Sequence, residues 1–229
     1  MTDSFNEARS RPMKIDIAAT LGAVTREIAS REHEGRPARV LVAARTYDTG
    51  IDDLWDALTN AERLPRWFLP ISGDLRLGGR YQLKGNAGGE IRTCEPPRHL
   101  AVTWEYGGQA SWVTVRLVEE AAGRTRLELE HVAHVDDKFW DQYGPGAVGV
   151  GWDLAIMGLG QHLETGAALD REAAMAWPTS PEGRGFVRGS SEGWCRASIA
   201  AGTDAAAAQA AAARTTAFYT GESASSASD

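Results

Sequence analysis

The chain has two cysteines, Cys94 and Cys195, in 229 residues. That is too few for a disulfide-stapled secreted scaffold, and no Cys/His spacing suggests zinc. Both are expected to be reduced, partly buried thiols. Lysine is also scarce: Lys14, Lys84 and Lys138 are all there are, and arginine carries nearly all the positive charge. Basic residues number 24 against 31 acidic ones, for a net charge of -7. Such a balance excludes a nucleic-acid surface, which needs clustered Lys and Arg. No apolar run reaches the roughly 18 residues that span a bilayer. The opening "MTDSFNEARSRPMKIDI" lacks the apolar stretch of a signal peptide. A cytoplasmic location away from membranes is therefore expected, with no metal and no cofactor.

What is present is a globular composition, 43% apolar and 24% charged. Residues 1–12 are polar and expected to be disordered, with Met13 as an alternative start. Two β-leaning runs, near 23–31 and 38–47, flank the turn cluster "EHEGRP" and predict a hairpin. Ile51, Leu54, Trp55 and Leu58 then fall at helical spacing. Thr49 or Asp48 is the expected cap, and Pro65 the expected stop of a second short turn. Five short runs follow, separated by glycine or proline. The last three alternate clearly: Leu100, Val102, Trp104, Tyr106; Val113, Val115, Leu117; Thr125, Leu127, Leu129, His131. A dyad period with one apolar face predicts antiparallel strands in a meander, covering something on one side only. The segment "VDDKFWDQYGPG" reads as a polar-aromatic connector.

The stretch "VGVGWDLAIMGLGQHL", 148–163, carries Gly149, Gly151, Gly158 and Gly160, yet Trp152, Ile156, Leu159 and Leu163 mark one helical face. Each interior glycine costs a helix about 1 kcal/mol against alanine. A helix of about 147–168 held in the concavity of a sheet would repay that through close backbone approach. A phosphate loop is disfavoured, because no strand precedes these glycines and no Lys-Ser/Thr follows. The predicted fold class is α+β, a curved antiparallel sheet wrapped around one long helix. Beyond residue 170 no strand pattern remains. Thr179 or Ser180 caps a helix opened by Pro181 and closed by Gly202, and Thr203 or Asp204 caps another running to Gly221. The expected organisation is a domain over 13–169, a helical extension over 170–220 and a disordered tail over 221–229. The alanine-rich last helix could pack on a second subunit, making a homodimer possible.

Several of these pieces resemble a known family. "ARTYDTGIDDLWDALTNAERLPRWF", "DLRLGGRYQL", "EPPRHLAVTWEY", "VTVRLVEEAAGRTRLELEH" and "GVGWDLAIMGL" are similar to the Hsp90-ATPase-activator-homologue domain of the START-like (SRPBCC) superfamily. The most diagnostic are Arg66-Trp67-Phe68, Gly78-Gly79, Pro96-Pro97 before the strand to Trp104, and Gly151-Trp152. The resemblance covers about 38–169. It implies the helix-grip fold, with a cavity between sheet and long helix. The tail is similar to an extension shared by a subgroup of actinobacterial members.

On that frame the expected cavity residues are Trp67, Phe68, Trp104, Tyr106, His131, Tyr143, Trp152 and Ile156, since ligand pockets are aromatic with a few polar groups. Asp153, Glu90 and Arg92 are candidate polar groups, and Trp112 is expected on the outer face. His131 shares the face of Leu127 and Leu129 and is the candidate general acid or base. The alternative is a core histidine satisfied by hydrogen bonds. His131 and His134 of "HVAH" are three apart on a strand and face opposite ways, which argues against metal. Gly189-Ser190-Ser191-Glu192-Gly193 matches G-x-S-x-G but lies inside a helical pattern, where no nucleophile elbow can form. The leading function is a module that binds a small apolar or aromatic molecule without turnover. The alternatives are a cyclase- or hydrolase-like enzyme using His131, and a regulator of an Hsp90-type ATPase.

Overall fold

A computed structural model describes residues 15–222. The expectations for 1–12 and for nearly all of 221–229 lie outside the described residues. Eight strands form one sheet, with every neighbouring pair antiparallel, in the order β1-β2-β8-β7-β6-β5-β4-β3. The strands are β1 (Val24–His33), β2 (Arg36–Tyr47), β3 (Ile71–Gly73), β4 (Arg80–Leu83), β5 (Gly88–Glu95), β6 (His99–Tyr106), β7 (Gln109–Ala121) and β8 (Arg124–Ala133). The predicted hairpin is β1–β2, and the alternating runs are β6, β7 and β8. Register stacks the inward residues in rows: Leu41 opposite His131 opposite Val113, and Ala43 opposite Leu129 opposite Val115. Two-residue periodicity puts each row on one face.

The helices are α1 (Ile17–Gly22), α2 (Ile51–Thr59), α3 (Asp137–Tyr143), α4 (Gly146–Thr165), α5 (Arg171–Ala176), α6 (Pro181–Ala200) and α7 (Ala205–Thr220). Helix α4 is the predicted central helix, shorter than expected because Gly166 adopts the left-handed conformation that closes it. Ser180 and Asp204 cap α6 and α7 as predicted, accepting from the Gly183 and Ala207 amides. The cap of α2 is Gly50, not Thr49 or Asp48, and Thr49 instead donates to the Asp53 carboxylate at 2.6 Å. Pro65 does not stop the next turn but sits inside it, in a 3-10 turn over Leu64–Arg66. The polar-aromatic connector is helical: it is α3, capped by Asp136.

One core joins the sheet, α2, α4 and α6. Leu54, Leu117, Leu127, Val150, Leu159, Val187 and Trp194 are all in it. A smaller cluster of Ala38, Val40 and Val132, with Trp112 against it, lies on the convex face, where Trp112 was expected. His134 packs on Trp112 there, with ring centres 5.2 Å apart, while His131 faces inward.

The interior glycines of α4 have close neighbours. A Cβ on Gly149 would lie 2.3–2.6 Å from the Trp194 indole, and one on Gly160 would lie 3.0 Å from the Arg45 guanidinium. The sheet therefore accounts for Gly160. The tightest contact, at Gly149, is made not by the sheet but by Trp194 of α6.

Candidate functional site

A cavity of about 170 Å³ lies between the concave face of the sheet and α4. Trp152, Ala155, Ile156 and Leu159 of α4 form one wall, spaced so that they share a helical face. Val113 and Val115 of β7, Leu127 and Leu129 of β8, Ile91 of β5 and Tyr81 and Leu83 of β4 form the opposite wall. Leu58 and Thr59 end α2 above it, and Leu64, Trp67 and Phe68 follow from the 3-10 turn. Leu75, Cys94, Leu100, Val102 and Trp104 complete the lining, with Leu75 and Cys94 exposed to solvent.

Of the eight expected cavity residues, the structure brings five to this space: Trp67, Phe68, Trp104, Trp152 and Ile156. Trp67 stacks on Phe68 with ring centres 5.4 Å apart, and Trp104 packs on Trp152 at 5.1 Å. Three are elsewhere. Tyr106 ends β6 at its turn and is 63% exposed. Tyr143 ends α3 and packs on Phe139 and Phe218. His131 has the predicted inward face but is not among the lining residues, because Trp104 and Trp152 pack against it, with ring centres 6.4 and 5.8 Å from its own.

The hydrogen bonds of His131 fix its role. Trp152 Nε1 donates to His131 Nδ1 at 3.0 Å. The neutral ring therefore carries its proton on Nε2, which donates to Ser111 Oγ at 2.8 Å. Ser111 in turn donates to the Trp104 carbonyl at 3.0 Å. This chain is complete, and it holds the two cavity tryptophans in place. Burial pushes the imidazole down to about 4. His131 is thus a satisfied core histidine, neutral at ordinary pH and not among the residues lining the cavity.

A pH dependence follows. The unfolded chain protonates His131 near 6.5, the folded one only near 4. The unfolded state binds the extra proton between those values, so this contribution to stability is full above 6.5 and lost as pH falls toward 4. The gap is worth roughly 3 kcal/mol. Urea unfolding of wild type and His131→Asn, compared across that interval, is expected to show a shallower pH slope in the variant. An equal slope would assign the acid sensitivity to other groups.

The other polar candidates also miss the cavity. Glu90 and Arg92 flank Ile91 on β5, so alternation turns them outward, where they pair at 3.5 Å. Asp153 follows Trp152 on α4, and a step of about 100° aims it at α6 instead. There Asp153 Oδ2 accepts from Arg26 Nε at 2.9 Å, Ser190 Oγ at 2.5 Å and Trp194 Nε1 at 3.1 Å. Burial raises this carboxyl above the usual range, while Arg26, Ser190 and Trp194 pull it back. The cluster ties β1, α4 and α6 together through residues up to 168 positions apart in the numbering of Arg26 and Trp194.

Sequence reasoning missed Tyr81 and the backbone partners of the lining. The Tyr81 hydroxyl donates to the Thr103 carbonyl at 2.8 Å, and burial raises its ionisation above the usual phenol range. Trp67 Nε1 donates to the Ala57 carbonyl, and Thr59 Oγ1 to the Trp55 carbonyl, each at 2.8 Å. The inward phase of Tyr81 and Leu83 on β4 was the available signal. The cavity wall is mostly apolar, and the Thr59, Trp67, Tyr81 and Trp152 donors in it are engaged by the protein. Cys94 is exposed and Cys195 buried, and both are free. Among the described residues no cluster of His, Cys, Asp or Glu could hold a metal, and no helix is long and apolar enough to cross a membrane.

A curled antiparallel sheet gripping one long helix, with a cavity between them, is the helix-grip architecture. The chain belongs to the family of Activator of Hsp90 ATPase homolog 1-like proteins, whose model matches residues 48–164. It is similar to CalU16 from Micromonospora echinospora. The CalU16 crystal structure is 35% identical, with 76% of this chain and 98% of that one covered and a TM-score of 0.60. The solution structure of CalU16 gives 34%, 78%, 97% and 0.64. This likeness reaches beyond the family segment. EF2215 from Enterococcus faecalis shares the fold at 19% identity, with 67% of this chain and 84% of that one covered and a TM-score of 0.51. No curated protein matches the chain.

Proposed function

We propose that the protein is a binding module for a small, uncharged apolar or aromatic molecule, held between sheet and helix without turnover. One observation carries the reading: the cavity is lined by aliphatic and aromatic side chains, and the polar atoms of Trp67, Tyr81 and Trp152 are spent on protein partners. A charged ligand would lose its hydration there with no charged side chain in the lining to replace it. A reaction would need an acid, base or nucleophile, and His131, the sequence's candidate, faces Trp152 and Ser111 instead. Dry apolar cavities of about this size hold a single benzene ring. The reading takes the protein as cytoplasmic, supported by its two free thiols.

Toluene is the natural probe. It is expected to raise the thermal midpoint of the protein in a saturable way, by mass action, with a negative heat-capacity change on binding. Ile156→Trp, which places an indole in the cavity, is expected to remove both effects. A thermal midpoint indifferent to toluene in the wild type would contradict the reading.

A further inference from the structure

A second space, of about 280 Å³, opens at the N-terminal end of α4. It differs in chemistry from the apolar cavity. Ser191, Cys195 and Ser198 line it from α6 at steps of four and three, one helical face. Ala208 and Ala211 line it from α7, and Gly144, Pro145 and Gly146 from the start of α4.

Two features give it donors without acceptors, and a third places a cation beside them. First, α4 is 20 residues long and its N-cap is Pro145, which offers no capping side chain. The Gly146 amide has no partner among the described residues, and the Ala147 and Val148 amides make only 3.4 Å contacts. The positive end of a long helix dipole is thus left open. Second, Ser191 is 1% exposed and its hydroxyl has no hydrogen-bond partner. Buried hydroxyls without partners are uncommon, and each asks for an explanation. Third, Arg39 lines the same space, its guanidinium 5.1 Å from the centre of the Trp140 ring and shared with Ser30 Oγ at 3.1 Å and Asp137 at 3.6 Å. Burial raises the Cys195 thiol, which keeps it neutral.

We propose that this space binds a small organic monoanion, one carboxylate on a hydrocarbon body. The carboxylate takes the open amides of α4 and the Ser191 hydroxyl, and the hydrocarbon lies against the alanines of α7. Asp141 also lines the space and opposes negative charge, a dianion about twice as much as a monoanion, so inorganic phosphate is the poorer ligand. The site does not depend on the apolar cavity or on what that cavity holds.

The test uses the full chain, labelled with nitrogen-15, and sodium benzoate as the probe. Benzoate and toluene share a ring and differ in charge, so they separate the two spaces. Benzoate is expected to shift the amides of Gly144, Gly146, Ser191 and Cys195 along a saturable curve. Ser191→Ala is expected to weaken it roughly fivefold, the worth of one hydrogen bond. The same variant is expected to keep the wild-type thermal midpoint, because the hydroxyl it removes has no partner. Ala212→Leu, at the wall of this space, is expected to abolish the saturable shifts. Shifts that never saturate, an unchanged affinity in Ser191→Ala, an equal response to phosphate, or benzoate lodged in the sheet cavity would each overturn the proposal.

Discussion

Replacing Arg26 by alanine is expected to lower the unfolding free energy by about 3–5 kcal/mol. Arg26 lies on the inward face of β1, and its side chain is 8% exposed. Its guanidinium is the positive charge facing Asp153, whose own side chain is fully buried. Removing one member of such a pair leaves the other charge without water or counterion, and that is the costly half of the change. Burial already raises the Asp153 carboxyl, and loss of Arg26 raises it further. The variant should therefore recover part of its stability as pH falls and the carboxyl is neutralised. The double change Arg26→Met with Asp153→Leu removes both charges and is expected to cost less than Arg26→Ala alone. Denaturant unfolding of the three proteins checks this. A double variant as unstable as the single one would mean that packing and the Ser190 and Trp194 donors freed by Asp153→Leu, not the orphaned charge, set the cost.

Trp194→Ala is expected to cost a similar amount, about 3–5 kcal/mol, the usual range for truncating a large buried aromatic. Trp194 is wholly buried, donates to Asp153 and covers the face of α4 at Gly149. That contact makes a sharper experiment. Gly149→Ala would normally stabilise a helix interior by about 1 kcal/mol. Here the added methyl meets the indole at 2.3 Å, and rigid cores resist such overpacking by about 1–3 kcal/mol. In a Trp194→Ala background the obstruction is gone, and Gly149→Ala should turn neutral or stabilising. The two changes are thus expected to be strongly non-additive. Additive effects in thermal or urea unfolding would show that the glycine is not there for the tryptophan.

The same contact shows what a sequence can and cannot disclose. The glycines of 148–163 signal that something approaches α4 closely, and that signal is local. The identity of the neighbour, 45 positions further on, is not, and the sheet was the expected partner. Strands β6 to β8 were legible because alternation is written into consecutive residues. Helices α6 and α7 were legible because Ser180, Pro181, Asp204 and Gly221 mark their ends. Helices α1 and α3 were not, since six and seven residues form a helix only with tertiary support.

The cavity divides in the same way. Trp104, Trp152 and Ile156 lie within elements whose inward face is set by period alone, while Trp67 and Phe68, just after the 3-10 turn, were legible from the family resemblance. Tyr106 and Tyr143 close their elements, and a terminal residue's direction depends on where the chain turns. His131 had the right face, but the depth at which it sits depends on Trp104 and Trp152 packing over it. Asp153 looked like a cavity acid because it neighbours Trp152, and one helical step was enough to give it to α6.

The central claim is that the space between sheet and α4 holds a small apolar molecule. The most direct measurement is a set of nuclear Overhauser contacts between toluene and the methyl-labelled protein. The account predicts contacts to the methyls of Ile91, Val113, Val115, Leu129 and Ile156, which surround the cavity. Contacts confined to exposed methyls such as those of Leu77 and Val118, or none at saturating toluene, would contradict it.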